Sequence, residues 1–194
     1  MRIGFRVLLT GATLALIAAC TQQSQQQPTT APKPVTPTPL ERGEYLVSTS
    51  ACHDCHTPTK MGPNGPEPDM ARQLSGHPEG VKVSPPPKMT PGWMAAASET
   101  FTAWYGPWGI SFTANLTPDP SGLAVWTEDM FIKAIREGKH MGQSRPILPP
   151  MPWPVYRNLS DGDLKAIFAY LKTIPPVSNH VPDPIAPEDV GKIK

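Results

Sequence analysis

The sequence has few cysteines, little net charge and no apolar run long enough to cross a membrane comfortably. Its 194 residues contain three cysteines, and 17 basic residues nearly balance 16 acidic ones. No cluster of lysine or arginine forms a basic surface, so we exclude nucleic acid as a partner. The main apolar run, residues 7–19, is too short for a membrane-spanning helix. The N-terminus and the cysteines are therefore the most informative parts of the sequence.

The N-terminal residues 1–19 have the pattern of a signal peptide. Arg2 and Arg6 precede the apolar run, and small residues lead to Cys20. The stretch Ile17-Ala18-Ala19-Cys20 resembles a bacterial lipobox, which implies cleavage before Cys20 and lipidation of its thiol. An ordinary signal peptide with a free Cys20 thiol is the alternative. We therefore predict a bacterial periplasmic protein, lipid-anchored through Cys20 to the inner or the outer membrane.

The segment 20–39 is predicted to be a linker. After Cys20 it contains five glutamines and five prolines with almost nothing apolar to bury. Such a composition favours extended polyproline II conformation and a tether between the anchor and a folded domain. We place that domain at residues 40–194.

The motif that organises the domain is Cys52-His53-Asp54-Cys55-His56, which reads C-x-x-C-H. This spacing is typical of covalent c-type haem attachment, in which both thiols bond one porphyrin and His56 ligates its iron. A redox dithiol, half of a zinc site and a disulfide are the rival interpretations of C-x-x-C alone. None of them explains the histidine that follows the second cysteine. We predict one covalent haem c on Cys52 and Cys55.

Helix signals flank this motif. Residues 41–50 are predicted to form a short helix, and Gly43 would allow another helix to approach it closely. Thr127 is a candidate N-cap of a second helix that Gly138 ends. Ser160 begins a third, whose apolar residues follow at helical spacing until Pro175-Pro176.

The region between the motif and the second helix has no clear periodicity. Residues 58–105 are rich in proline and glycine, and we interpret them as a long irregular excursion. A helix within 89–105 is suggested by the propensity of Ala95-Ala96-Ala97-Ser98-Glu99. Because no run of alternating strands is evident, the predicted fold class is all-α with long Pro/Gly-rich loops.

Met151 is the leading candidate for the second axial ligand of the iron. It lies in Leu148-Pro149-Pro150-Met151-Pro152-Trp153, where the prolines stiffen the loop around it. A thioether ligand predicts a comparatively high reduction potential. Met141 is the nearest rival, and ligation by a second histidine would use one of the following residues: His77, His140 or His180.

With these residues in hand, the chain resembles a class I-type cytochrome c, and in particular the cytochrome c subunits of membrane-bound alcohol and gluconate dehydrogenases. Three stretches carry the resemblance: Arg42-Gly43-Glu44-Tyr45-Leu46 running into Cys52–His56, Asn115-Leu116-Thr117-Pro118-Asp119, and Pro149-Pro150-Met151-Pro152-Trp153. Two departures are the single C-x-x-C-H motif, where those subunits usually carry several, and the segment 58–105, which has no counterpart.

The resemblance implies an all-α cytochrome c fold with Met151 as axial ligand. It also implies that Asn115 and Thr117 lie near a haem propionate. The N-terminal helix would cross the C-terminal one, setting Gly43 and Tyr45 against Phe168 or Tyr170.

The expected function is membrane-tethered electron transfer rather than catalysis. The chain would pass single electrons among redox proteins: a dehydrogenase, a quinol-oxidising complex, an oxidase or another cytochrome. Small transient encounters of this kind suit a tethered carrier. A haem enzyme with an open sixth coordination site, or a haem-based sensor, is the alternative function.

Overall fold

A computed structural model of the chain describes residues 36–194. The predicted signal peptide, Cys20 and the linker up to residue 35 lie outside the described residues. Within residues 36–194, no helix is long and apolar enough to cross a membrane.

Three helices of ten or more residues surround the centre of the domain. They are α1 (Pro39–Thr49), α3 (Glu128–Glu137) and α5 (Asp161–Leu171), with the short helices α2 (Cys52–His56) and α4 (Trp153–Tyr156) between them. The predicted caps are confirmed. The side chains of Thr127 and Ser160 accept the backbone N–H groups of Met130 and Asp163, and Gly138 ends α3 with a φ of 68°. Helix α1 begins two residues earlier than predicted, because Thr38 and Glu41 form a capping box.

The hydrophobic core lies where α1, α3 and α5 meet. Helix α1 packs across α5 at Gly43, where a Cβ would overlap the carbonyl of Ala166 and lie 2.8 Å from Cβ of Tyr170. This confirms the close approach predicted for Gly43, whereas Tyr45 is largely exposed. The core cluster comprises Leu46, Val47, Leu74, Leu123, Phe131, Ile135, Leu164, Ile167, Phe168, Leu171 and Ile174.

The all-α prediction is wrong, because the structure adds two small antiparallel sheets. The strands are β1 (Thr59–Gly62) paired with β2 (Gly65–Pro68), and β3 (Ala96–Ala97), β4 (Ala103–Gly106) and β5 (Gly109–Phe112) in the order β3-β4-β5. Both hairpins turn through Gly-Pro-x-Gly, at residues 62–65 and 106–109. Proline at the second turn position and glycine at the fourth favour such tight turns.

The segment 58–105 is therefore not an irregular excursion throughout. It holds β1, β2, β3 and most of β4, and the helix predicted within 89–105 is absent. Ala96 and Ala97 pair instead with Tyr105 and Trp104 of β4. Tertiary pairing overrides the helical propensity of the alanines. Short 3-10 helices complete the fold at Met70–Arg72, His140–Gly142 and Pro187–Lys192.

A buried asparagine ties this segment to the C-terminal part of the chain. Asn179 is 1% exposed. Its Nδ2 donates to the carbonyls of Ser75 and His77 at 2.7 and 2.9 Å, while its Oδ1 accepts from Glu79 N and Arg72 Nη2. All the polar capacity of the side chain is thereby used. Residues 72–79 are held in place by a residue about one hundred positions later in the chain.

Candidate functional site

A cavity of about 740 Å³ occupies the centre of the helical part. Most of its wall is apolar, supplied by core side chains of α3 and α5 and by Leu116, Leu123 and Trp126. A close-packed protein interior has few voids larger than a water molecule, so a space of this size is a ligand site. Its polar groups come chiefly from α2, β5 and the loops around residues 140–151 and 180–184.

The C-x-x-C-H motif forms one wall of this cavity. Ala51 has a φ of 58° and starts α2 immediately after α1 ends. This left-handed residue turns the chain sharply, and Cys52, Cys55 and His56 all line the cavity on the single turn that follows. Tyr156 supports the turn from α4 by donating its hydroxyl hydrogen to the carbonyl of Ser50. The sequence prediction that the motif residues act together on one ligand agrees with this placement.

A hydrogen bond fixes the buried imidazole of His56 on the cavity wall. It is 8% exposed, and its Nδ1 lies 2.7 Å from the carbonyl oxygen of Ala114. A carbonyl only accepts, so Nδ1 carries the proton, which leaves the lone pair of Nε2 available to bind a metal. Burial lowers the pKa of His56, although the bond to Ala114 opposes this effect, so the neutral imidazole is favoured. Neutral imidazole is the form that binds a metal.

The cysteines do not have the electrostatics of a redox dithiol. Burial raises the pKa of the Cys52 thiol to about 11 and also raises that of Cys55. Catalytic dithiols instead depend on a lowered thiol pKa. Among residues 36–194 no group of three or more His, Cys, Asp or Glu side chains is placed to hold a metal ion. The two thiols are also unpaired in the structure.

Met151 lines the same cavity as His56 and packs against the core cluster. It lies in what we call the Met151 loop, residues 146–152, between the 3-10 turn after α3 and helix α4. Two contacts fix this loop. Ser111 Oγ donates to the Pro149 carbonyl at 2.5 Å, and the indole of Trp153 covers Gly138, where any Cβ would overlap it.

The rival ligands are placed differently. Met141 is absent from the cavity wall. His77 is also absent from it, and both its ring nitrogens are bonded, to Thr102 Oγ1 and to the Val81 carbonyl, each at 2.9 Å. His140 and His180 do line the cavity. The ring of His140 packs edge-on against Trp126, with the ring centroids 5.2 Å apart, and the backbone N–H of His180 donates to Glu79.

The side chains of Asn115 and Thr117 form hydrogen bonds to other groups of the protein. Asn115 Nδ2 donates to Ser121 Oγ and to the Val177 carbonyl, while its Oδ1 accepts from the backbone and hydroxyl of Thr117. Asn115 lines the cavity, but Thr117 is fully buried outside its wall. The contact of Asn115 and Thr117 with a propionate stays a prediction, since their hydrogen bonds are made to protein groups and only Asn115 lines the cavity.

Sequence reasoning missed the part of β5 and its extension that faces the cavity. Ser111 and Ala114 both line it. Their roles rest on one hydroxyl and one main-chain carbonyl, and a carbonyl leaves no signature in the residue type. The pairing of β5 with β4 and the backbone bonds of Thr113 to Thr102 and His77 bring them to the cavity.

Comparison with known proteins agrees with this geometry. Residues 40–175, most of the chain, match the protein family described as Cytochrome c. The chain belongs to the cytochrome c family. Membership implies a covalently bound c-type haem, and Cys52, Cys55 and His56 supply the motif for it. The apolar cavity, the imidazole of His56 and the two free thiols on its wall fit that group.

Several relatives of this cytochrome are subunits of dehydrogenases. The cytochrome c subunit of the quinone alcohol dehydrogenase of Gluconobacter oxydans is 29% identical over 150 residues, 74% of this chain and 24% of the relative. The fructose dehydrogenase cytochrome subunit of Gluconobacter japonicus is 27% identical over 169 residues, 84% of this chain and 27% of the relative. The gluconate 2-dehydrogenase cytochrome c subunit of Pantoea cypripedii is 38% identical over 65 residues, 33% of this chain and 14% of the relative.

The chain thus spans about a quarter or less of the length of these relatives. The family and the cytochrome subunits support haem electron transfer as the chemistry of the site. They are consistent with an electron carrier rather than an enzyme that is itself catalytic.

Proposed function

We propose that this cytochrome is a membrane-tethered periplasmic electron carrier with one haem c, ligated axially by His56 and Met151. The observation that carries the proposal is the single apolar cavity wall that brings Cys52, Cys55 and His56 together with Met151. A bound haem c supplies a one-electron iron couple. A carrier needs both axial positions filled by protein, since an open position admits substrate or gas.

The choice of Met151 rests on the lining of the cavity. It is the one methionine among the residues of the described chain that form the wall. Prolines on either side limit the conformations of its backbone, so the thioether is held at small entropic cost. The hydrogen bond from Ser111 and the packing of Trp153 on Gly138 fix the two sides of the loop. His140 and His180 are the alternatives that also reach the wall.

The apolar wall supports a carrier for a second reason. Leu164, Ile167 and Leu171 of α5 give the cavity an apolar wall, which would exclude water around a bound haem. A dry, low-dielectric surrounding disfavours added positive charge and so helps to raise a reduction potential. Ala51 and Arg145 line the cavity and are exposed to solvent, which supports an accessible edge through which electrons pass to a partner.

The proposals of a membrane tether and of a periplasmic location rest on the sequence. Residues 1–19 resemble a lipoprotein signal, and haem attachment in bacteria takes place outside the cytoplasmic membrane. Acyl chains on Cys20 together with the linker would keep the domain at the membrane and raise its local concentration near a partner. The dehydrogenase subunits among the relatives support a dehydrogenase as the donor. A quinol-oxidising complex, an oxidase or another cytochrome would be the other redox partner.

The decisive experiment is an absorption spectrum of the haem-loaded protein, oxidised and reduced, with and without carbon monoxide. We expect a low-spin spectrum with a methionine–iron charge-transfer band and no response to the gas. Met151→Ala should abolish the band, lower the potential and open the iron to carbon monoxide. Met141→Ala, a methionine outside the cavity wall, is the matched control and should leave all three unchanged.

Other outcomes would assign other functions. A high-spin ferric wild type that binds carbon monoxide readily would support an enzyme or a sensor. A low-spin wild type without the methionine band would support His140 or His180 as ligand. The anchor is tested separately by mass spectrometry of the mature N-terminus, which should begin at Cys20 and carry acyl chains. A mature N-terminus with an unmodified Cys20 thiol would overturn the lipid anchor.

A further inference from the structure

Residues 111–114, which we call the β5 segment, contact the site on both sides. The segment begins in strand β5 and leaves it after Phe112. All four residues line the cavity. At one end Ser111 Oγ donates to the Pro149 carbonyl, two residues before Met151. At the other end the Ala114 carbonyl accepts the proton of His56 Nδ1.

The bond from Ser111 is well defined. The hydroxyl is 2.5 Å from the Pro149 carbonyl and 3.4 Å from the Trp104 carbonyl, so the former takes the hydrogen. Ser111 is 7% exposed, which shields the bond from water. The backbone of Ser111 is fixed by the pairing of β5 with β4, where it stands opposite Trp104. The backbone that carries the donating hydroxyl is therefore held in place.

The Met151 loop has few other means of attachment near the methionine. Pro149, Pro150 and Pro152 have no N–H groups, so the loop is held through carbonyls and side chains. The backbone bond of Ile147 N–H to the Gly138 carbonyl fixes the loop four residues before Met151. On the other side the Pro152 carbonyl accepts from Val155 N–H in helix α4. The Ser111 bond falls between these two points and is the nearest to the thioether on its N-terminal side.

We propose that Ser111 is a positioning residue for Met151, and that the β5 segment couples the positions of both axial groups. This inference rests on the proposed ligation by His56 and Met151. Ser111 does not touch the iron. It acts by holding the Pro149 carbonyl, so that the loop presents Met151 to the cavity rather than swinging away to admit an outside ligand.

The test compares imidazole binding and the methionine–iron band in the haem-loaded wild type and in Ser111 variants. Imidazole competes with a weakly held methionine, so its affinity reports how firmly the loop is kept in place. Ser111→Ala should raise the affinity for imidazole by about tenfold, the factor that corresponds to one buried hydrogen bond. The methionine–iron band of this variant should be weaker than that of the wild type. Ser98→Ala is the matched control, because Ser98 directly follows strand β3 and its hydroxyl bonds only to Thr100 and Ala103.

A second pair of variants separates the hydroxyl from the packing. Ser111→Thr and Ser111→Val have nearly the same shape, and only the threonine can donate to the Pro149 carbonyl. The threonine variant should bind imidazole about tenfold more weakly than the valine variant and keep the band. This pair carries the test if Ser111→Ala fails to accumulate with haem.

The possible results distinguish a failure of the role of Ser111 from a failure of the ligation by Met151. Equal imidazole affinity in the threonine and valine variants, with the band intact in both, overturns the role of Ser111 and leaves Met151 as ligand. A wild type that lacks the methionine band, with a spectrum unchanged by Met151→Ala, overturns the ligation itself and the inference with it. A rise in imidazole affinity that is limited to the alanine and valine variants of Ser111 supports both the role of Ser111 and the ligation by Met151.

Discussion

Gly43 of helix α1 lies directly against the carbonyl oxygen of Ala166 in helix α5. A Cβ at Gly43 would overlap that oxygen and would lie 2.8 Å from Cβ of Tyr170. The two helices can therefore approach only because residue 43 has no side chain. This crossing brings Leu46 and Val47 of α1 into the core that surrounds the cavity.

Gly43→Ala is expected to destabilise the haem-loaded protein by about 1–3 kcal/mol, since backbone on a neighbouring helix must move to admit the methyl group. The free energy of unfolding in urea measures the effect. Gly80→Ala is the control, because a Cβ at Gly80 meets no atom within 4 Å. Equal stability of the two variants would contradict the proposed packing limit.

The ion pair between Arg42 and Asp163 should make stability depend on pH. Arg42 Nε donates to Asp163 Oδ1 at 2.8 Å, and this bond lowers the pKa of Asp163. A carboxyl with a lowered folded-state pKa stabilises the fold above its unfolded value of about 3.9 and loses that contribution as the pH falls through the folded value. Because the pair is partly exposed, Asp163→Asn should cost about 0.2–1 kcal/mol at pH 7.

Urea titrations at several pH values check this prediction. The stability gap between wild type and Asp163→Asn should close under strongly acidic conditions. A double-mutant cycle with Arg42→Gln isolates the pair from the helix-capping contribution of residue 163. A gap that stays constant at all pH values would show that the charge of Asp163 is not responsible.

Asn179→Ala should be among the most destabilising changes of a polar residue. It would leave the carbonyls of Ser75 and His77 and the N–H of Glu79 without their partner. With about 1–3 kcal/mol for each unpaired buried group, reduced where water enters, we expect a loss of about 3–5 kcal/mol. Faster proteolysis within residues 78–95 should accompany the loss.

The control for this change is Asn158→Ala, whose exposed side chain bonds only to nearby carbonyls at the end of α4. Its effect should be about 0.5 kcal/mol or less. Similar losses in both variants would mean that Asn179 is not the tie between residues 72–79 and the C-terminal part of the chain.

Leaving out the haem should prevent the native packing of the domain. Without haem, the apolar side chains of the cavity wall would lose their packing partner, and apolar surface left in contact with water costs about 25 cal/mol per Å². Chain produced without haem attachment should therefore lose its near-UV circular dichroism and bind the dye ANS. Cooperative unfolding of the haem-free chain with a native near-UV spectrum would contradict this expectation.

The helices could be predicted because their signals are local. Thr127, Ser160 and Gly138 cap helices by contacts within a few residues, and the apolar spacing after Ser160 is that of α5. The capping box of Thr38 and Glu41 is also a local signal, and it accounts for the earlier start of α1.

The strands could not be predicted from alternation, because they are short and contain proline and glycine. Strand β3 has two residues, and β2 reads Gly-Pro-Glu-Pro. The repeated Gly-Pro-x-Gly turns were the available sign of two hairpins. In the site, the residue types gave Cys52, Cys55, His56 and Met151, which all line one cavity. The residue types could not predict the contact of the Ala114 carbonyl with His56 or the hydrogen bond from Ser111, since both depend on where β5 lies.

The bonds of Asn179 also fix an order of events. The haem motif precedes Asn179 by more than one hundred residues, so it emerges first from any machinery that delivers the chain from its N-terminus. Residues 72–79 cannot dock until Asn179 has arrived, and contacts across so long a separation form late. We therefore expect the contacts between residues 72–79 and Asn179 to be among the last that form as the domain folds.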